Sequence, residues 1–206
     1  MAKSSKSTGK NTQSSRSSNG KQTSSSDNGR KLSATKKQDS SAGGKEELMK
    51  LFEHGLKDMF WVEKTLTRAI PKMMKKATSE DLINALEDHL EVTEDQVSKL
   101  ERIFEAIDKT PRAKKCIGME GIIKEGEEIM EEFQGPAIDA AIITAAQKVE
   151  HYEMSSYMSL INLARTLDMV KEAGILEQIL QEEMEADNIL AKIAATSAHQ
   201  LVLNEA

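Results

Sequence analysis

Two stretches of this chain carry acids where the side chains of a protein core belong. From Ile143 to Ala164 one helical face reads Ile143, Ala146, Gln147, Glu150, Glu153, Met154, Tyr157, Leu160, Ile161, Ala164. From Leu176 to Ala194 another reads Leu176, Ile179, Leu180, Glu183, Ala186, Asp187, Leu190, Ile193, Ala194. Both follow the three-and-four spacing of a single helical face. An unpaired carboxylate costs several kcal/mol to bury, and clustered carboxylates repel one another. Facing helices keep such groups inside when cations lie between them, and a pair of metal ions held by carboxylates is the arrangement that fits.

Glu63 adds a third inward acid, placed among Met59, Phe60, Leu66, Thr67 and Ile70. Glu150 and Glu153, three apart, can point at one spot, and so can Glu183 and Asp187, four apart. A further segment, Asp88–His89–Leu90–Glu91–Val92–Thr93–Glu94, offers two routes to the same centre. Relative to an apolar stripe through Leu86, Leu90, Val97 and Leu100, His89 lies near one edge and Glu94 near the other. The Glu-x-x-Glu spacing favours Glu91 with Glu94, and His89 stands as an alternative or supporting ligand. His151 follows Glu150 directly, so it points about 100° away and suits a supporting or surface position. Tyr157, one turn from Glu153, is a core aromatic by position and a candidate hydrogen-bond or electron donor.

The elements that position these residues follow from the punctuation. Lys45 to about Ala77 carries a helical stripe through Leu48, Leu51, Phe52, Leu56, Met59, Phe60, Leu66, Ile70 and Met73–Met74, with Pro71 as a kink or local break. Thr78–Ser79–Glu80–Asp81 supplies an N-cap and first-turn acids for a second helix reaching about Asp108. A short helix is expected near Gly118–Phe133. Gly135–Pro136 then opens the third long helix, to about Asp168, and the fourth runs on to about Ser197. Four long helices and one short one, with a crossover between the second and third long helices, describe a ferritin-like all-α bundle over residues 46–197. The last residues, 198–206, are expected to fray.

Residues 1–45 read differently. They hold ten Lys/Arg against two Asp, a net of about +8, which leaves about −14 for the rest of a chain whose total is −6. This Ser/Lys-rich arm buries too little to order itself and is expected to be disordered. It is either a solubilising tail or a tether to nucleic acid, without the aromatics that would stack on bases. Cys116 is the single cysteine, so an intramolecular disulfide framework and a cysteine-based metal site within one chain are excluded. No apolar run is long enough to span a bilayer and no signal-peptide core opens the chain, which gives the cytoplasm as the expected location. Phosphate-cradling glycine loops and nucleophile motifs are absent, so kinase, hydrolase and nucleotide-binding readings fall away.

From about Glu46 to Ala194 the chain resembles the YciE/YciF family of bacterial ferritin-like proteins. The likeness lies in Lys64–Thr65–Leu66–Thr67–Arg68–Ala69, His89–Leu90–Glu91 and Gly118–Met119–Glu120–Gly121. It is densest in Ala145–Ala146–Gln147–Lys148–Val149–Glu150–His151–Tyr152–Glu153, and returns at Glu182–Glu183 with Asp187. The resemblance implies a rubrerythrin-like or ferritin-like fold, often dimeric, and a stress-linked ferroxidase label that is itself drawn from fold and ligands. Carried across, the di-iron pattern takes Glu63 from the first helix and Glu91 from the second, with Glu94 in the histidine position. It takes Glu150 from the third, with Glu153 as an extra carboxylate, and Glu183 from the fourth. Ala186 stands where that pattern has histidine, and Asp187 is the nearest substitute. Oxygen in place of nitrogen admits harder ions such as manganese alongside iron.

Three functions follow as expectations. The first is a ferroxidase or peroxide-handling oxidoreductase with two irons per chain, acting with O2 or H2O2, the anionic ligands lowering the reduction potential. The second is a non-catalytic metal-binding or structural stress protein, in which ions only stabilise the bundle. The third is a DNA-associated protective protein tethered by its basic arm. A homodimer is the expected assembly, and no membrane partner is expected.

Overall fold

The computed structural model describes residues 35–204, and the remaining 1–34 of the basic arm and 205–206 lie outside the described residues. Five helices make up the structure: α1 (Thr35–Lys76), α2 (Glu80–Ala106), α3 (Ile117–Glu132), α4 (Pro136–Thr166) and α5 (Val170–Asn204). No strand occurs among the described residues. The four long helices and the short α3 form the ferritin-like bundle with a crossover that the sequence pattern implies.

Each long helix buries a face of strict four-and-three spacing. On α1 the residues are Phe52, Leu56, Met59, Glu63, Leu66 and Ile70; on α4 they are Ala146, Glu150, Glu153, Tyr157, Leu160 and Ala164. On α5 Leu176, Ile179, Glu183 and Leu190 keep the same rhythm. That spacing packs side chains of one helix into the gaps of its neighbours, at the shallow crossing angles typical of four-helix bundles. Leu51, placed on the inner stripe by the sequence pattern, is instead exposed.

Contacts along the helices fix their directions. Gly55 meets Leu160 at one end of the α1–α4 pair, and Thr78, just past α1, meets Asp139 at the other, so the two run antiparallel. Short turns make α1–α2 and α4–α5 antiparallel hairpins. It follows that α2 and α4 point the same way, and the chain must travel back along the bundle between them. Residues 107–135 do this, with the 16 residues of α3 covering about 24 Å. α3 lies close on α4, where a Cβ at Gly126 would come within 3.1 Å of the Ala145 methyl group.

The helix ends show which local signals operate. α2 and α4 each stop in a left-handed Asp, Asp108 (φ 55°) and Asp168 (φ 65°). In each case the next residue donates back, Lys109 to the Phe104 carbonyl and Met169 to the Ala164 carbonyl, both at 2.9 Å, as in a Schellman ending. Gly135, at φ 60°, makes the left-handed turn that lets Pro136 start α4. The start of α2 falls where Thr78–Ser79 signals it, yet neither hydroxyl caps the helix. Asp139 from the first turn of α4 accepts from the Thr78 backbone N–H at 2.7 Å, the Thr78 hydroxyl at 2.7 Å and the Ser79 backbone N–H at 2.9 Å.

Three boundaries differ from the sequence reading. α1 begins at Thr35 rather than near Lys45, because extending a packed helix costs far less than starting one. It also continues unbroken through Pro71 to Lys76. α5 reaches Asn204 instead of ending near Ser197, since no glycine or proline stops it there. No helix among the described residues is long and apolar enough to cross a membrane.

Candidate metal centre

Midway along the bundle three of the four inner faces turn from apolar side chains to acids, and the fourth to other polar groups. Glu63 of α1, Glu150 and Glu153 of α4 and Glu183 of α5 are all buried, none more than 2% exposed. Carboxylate oxygens of Glu63, Glu153 and Glu183 lie within 4.8 Å of one another, and so do the ligand atoms of His89, Glu150 and Glu183. Glu183 belongs to both groups, so the two triads adjoin through one shared carboxylate.

α2 brings a histidine and an amide to this centre. Its inner face runs Leu82, Leu86, His89, Thr93, Gln96, Leu100, Ile103, an unbroken four-and-three series whose middle is polar. His89 Nε2 lies 3.4 Å from Glu150 Oε1 and 3.9 Å from Glu183 Oε2. Gln96 donates from Nε2 to Glu183 Oε1 at 2.6 Å and to Glu182 Oε2 at 3.1 Å. Tyr157 is fully buried and its hydroxyl donates to Glu63 Oε1. Lys99 turns its ammonium outward to Glu182 and to Asp95, the latter at 2.9 Å.

These contacts do not satisfy the acids. Five of their eight carboxylate oxygens accept no hydrogen bond from any other described residue: Glu63 Oε2, Glu150 Oε2, both of Glu153, and Glu183 Oε2, leaving the acids to face one another as Glu63–Glu153 and Glu150–Glu183 pairs. No described Lys or Arg forms an ion pair with any of the four. Burial and mutual repulsion therefore favour the protonated forms of the carboxyls. Glu63 is pushed up to about 8 by burial and by the charge of Glu183, and Glu183 to about 7, chiefly by burial. Burial, followed by the Glu183 charge for Glu150 and the Glu63 charge for Glu153, lifts both well above the carboxylate range. Burial pulls His89 down to about 4, which leaves a neutral imidazole with a lone pair to give. Burial also raises the Tyr157 phenol well above its usual value, so it stays a donor.

Of the residues singled out from sequence, Glu63, Glu150, Glu153, Glu183 and Tyr157 come together, and His89 joins them. Glu91 and Glu94 do not: both are exposed, on the side of α2 facing away from the cluster. The stripe through Leu90 and Val97 misplaced the inner face, because those two residues flank it and are only half-buried. Asp187 stands beside the cluster, accepting from Gln147 Nε2 at 2.9 Å with His151 Nε2 at 3.4 Å. His151 itself is exposed. Gln96, Lys99 and the capping role of Asp139 went unread, although the series Leu82–Leu86–His89–Thr93–Gln96–Leu100–Ile103 signals Gln96 by position alone. Cys116 is buried at the start of α3, its Sγ 2.9 Å from the Tyr152 hydroxyl.

Fold and centre together define a ferritin-like helical bundle with a buried carboxylate cluster at its middle. Comparison with known proteins places it more closely. Residues 47–203 match the family described as a domain of unknown function (DUF892). The chain is 37% identical to protein YciF of Escherichia coli strain K12 over 158 residues, an alignment covering 76% of this chain and 95% of YciF. The crystal structure of the E. coli stress protein YciF superposes with a TM-score of 0.71 at 37% identity, covering 74% of this chain and 97% of that one. YcfI of Rhodopseudomonas palustris, described as a candidate structural protein, superposes with a TM-score of 0.69 at 36% identity, covering 70% and 92%. A Xanthomonas campestris protein at 21% identity shares the fold, with a TM-score of 0.61 and coverage of 77% and 98%. The chain belongs to the DUF892 family, with YciF among its members' relatives in sequence and structure.

Proposed function

We propose that the cluster is a di-metal site and that the protein is a ferroxidase or peroxide-handling oxidoreductase of the stress response, with ferrous iron as its metal and manganese as an alternative. The observation that carries this reading is the five buried carboxylate oxygens that accept no hydrogen bond from any other described residue. Four carboxylates bring four negative charges to one desolvated volume, and two divalent cations balance them. A single cation would leave about half of that charge uncompensated in a medium where it is expensive. The residues that would hold the ions are Glu63, Glu153 and Glu183 on one side, and His89, Glu150 and Glu183 on the other.

Ferrous iron bound there would provide the two electrons, one per ion, needed to reduce O2 to the peroxide level or H2O2 to water. The chain's own residues do the rest. The four carboxylates favour the more highly charged oxidised pair, which lowers its reduction potential. They also give up their protons when cations enter, so binding is coupled to proton release. Tyr157 fixes Glu63 through its donated hydrogen bond, and Gln96 fixes Glu183. The apolar layers above and below exclude water. YciF is called a stress protein, which supports a role in handling iron or oxidant under stress.

A second reading, a metal-stabilised protein without turnover, draws support from the donor set: four carboxylates and a single imidazole, the pattern of hard-ion sites. The description of YcfI as a candidate structural protein points the same way. Anaerobic Fe(II) loading followed by an oxygen pulse separates the two. Oxygen consumption with a rise in near-ultraviolet absorbance, lost in a folded Glu150→Ala, Glu183→Ala variant, supports the oxidoreductase. Metal-raised melting with no oxygen consumption supports the second reading.

A further inference from the structure

Beside the carboxylate cluster, between α2 and α5, lies a cleft of about 380 Å³ that reaches in to His89 and Glu150 but otherwise lies outside the proposed ion site. Its walls are apolar on all four long helices, with Leu66 and Ile70 of α1, Leu86 of α2, Val149 of α4 and Leu190 of α5 among them. Its buried polar contribution comes from His89 and Glu150, two of the residues that face the proposed ions. Its mouth carries Asp81 and Asp88 from α2 and Glu182 and Glu185 from α5. Asp81, Asp88 and Glu185 are exposed, and no ion pair engages them among the described residues.

A cleft of this size, open to solvent at its mouth, leaves apolar side chains of four helices without packing partners. Protein interiors hold few gaps larger than a water molecule, and leaving one open forfeits contacts along its whole lining. A dry apolar cavity of about 150 Å³ in an engineered core already accepts benzene. Here the space falls in the range of small-molecule sites, which bury an apolar body and orient it with few polar groups. The acid-lined mouth repels anions, and the inner walls are predominantly apolar, which favours an apolar body. We propose that the cavity binds a small, uncharged, largely apolar organic molecule, held with one end against His89 and Glu150. The consequence for oxidation chemistry rests on the di-metal reading, since such a molecule would lie next to the ions. Binding itself needs only the cavity.

The test uses the full-length protein, with its metal content measured by elemental analysis in the same samples. Toluene and 1-hexanol serve as neutral probes, benzoate and hexanoate as their anionic counterparts. Binding is followed by saturation-transfer NMR and by the shift in melting temperature. The expected result is saturable binding of both neutral probes, with each anion at least about tenfold weaker. Ala186→Phe and Ala85→Phe each add a ring to the cavity wall, and each is expected to weaken toluene binding by at least about tenfold while the helical signal is retained. No binding of neutral probes overturns the proposal, as does equal binding of the anions or unchanged affinity in a folded variant. If one variant fails to fold, the other and the probe comparison on the unaltered chain still decide. Stoichiometric metal without neutral-probe binding overturns the cavity proposal alone. Neutral-probe binding by a chain that takes up no metal leaves it standing and overturns the di-metal reading.

Discussion

The bundle contains two kinds of interior. Toward one end Phe52, Leu56, Phe60, Ile103, Phe104, Leu160 and Leu176 pack as a conventional core, with the rings of Phe60 and Phe104 edge to face at 5.6 Å. At the middle, the same helices with the same spacing present Glu63, Glu150, Glu153, Glu183, His89 and Gln96. The first layer stabilises the fold by itself through apolar burial. The second destabilises it until something positive enters. Equal burial with opposite energetic sign sets the second layer apart from the first.

Four predictions press on that difference. Truncating the apolar layer has the largest effect: Phe104→Ala is expected to cost about 3–5 kcal/mol in chemical denaturation, whether metal is present or not. A similar loss at Glu153→Ala in metal-free protein would erase the distinction between the layers. Glu153→Gln keeps the shape and removes one negative charge. Without metal it is expected to stabilise the fold by about 1–2 kcal/mol at mildly alkaline pH, and to abolish stabilisation by added Mn(II) or Fe(II). Melting curves with and without metal read both effects.

The third prediction concerns pH. Burial pushes Glu63 up to about 8 and Glu183 up to about 7 in the fold, against 4.5 ordinarily. The folded chain therefore binds protons that the unfolded chain has released. The associated stability is complete below the unfolded value and is lost as pH rises through 7 and 8. His89, pulled from 6.5 to about 4, acts oppositely, its contribution being present above 6.5 and lost as pH falls toward 4. Between 6.5 and 8 only the carboxyls among these groups act, so metal-free protein is expected to lose stability across that interval. A flat or rising melting temperature there would contradict the account. The smallest effect belongs to the rim: His151→Ala, at an exposed residue beside Asp187, is expected to change stability by less than about 0.5 kcal/mol and to leave metal stoichiometry unchanged.

The sequence discloses these layers unevenly, and the reason is physical. On α4 and α5 the acids stand within long apolar series, so Glu150, Glu153 and Glu183 are visible as interruptions whose spacing survives. On α2 the middle of the inner face is wholly polar, His89, Thr93 and Gln96, while Leu90 and Val97 sit beside it. A search for apolar periodicity therefore slides around the helix and brings Glu91 and Glu94 inward in error. Only the register carried between Leu82–Leu86 and Leu100–Ile103 reveals the true face. Other features depend on distant partners. Asp139 caps α2 from sixty residues away, and the cleft is lined by residues of four different helices, which no local pattern records. The fold was legible because turns and helical spacing agree; the inner face of the second helix was not, because His89, Thr93 and Gln96 stand where apolar residues usually mark a buried face.

The most direct test of the central claim is a crystal of this protein soaked with Mn(II) and measured for anomalous scattering. The account predicts two peaks per chain, one among Glu63, Glu153 and Glu183 and one among His89, Glu150 and Glu183. No anomalous density between these residues, with the four carboxyls held by protons and water alone, would contradict it.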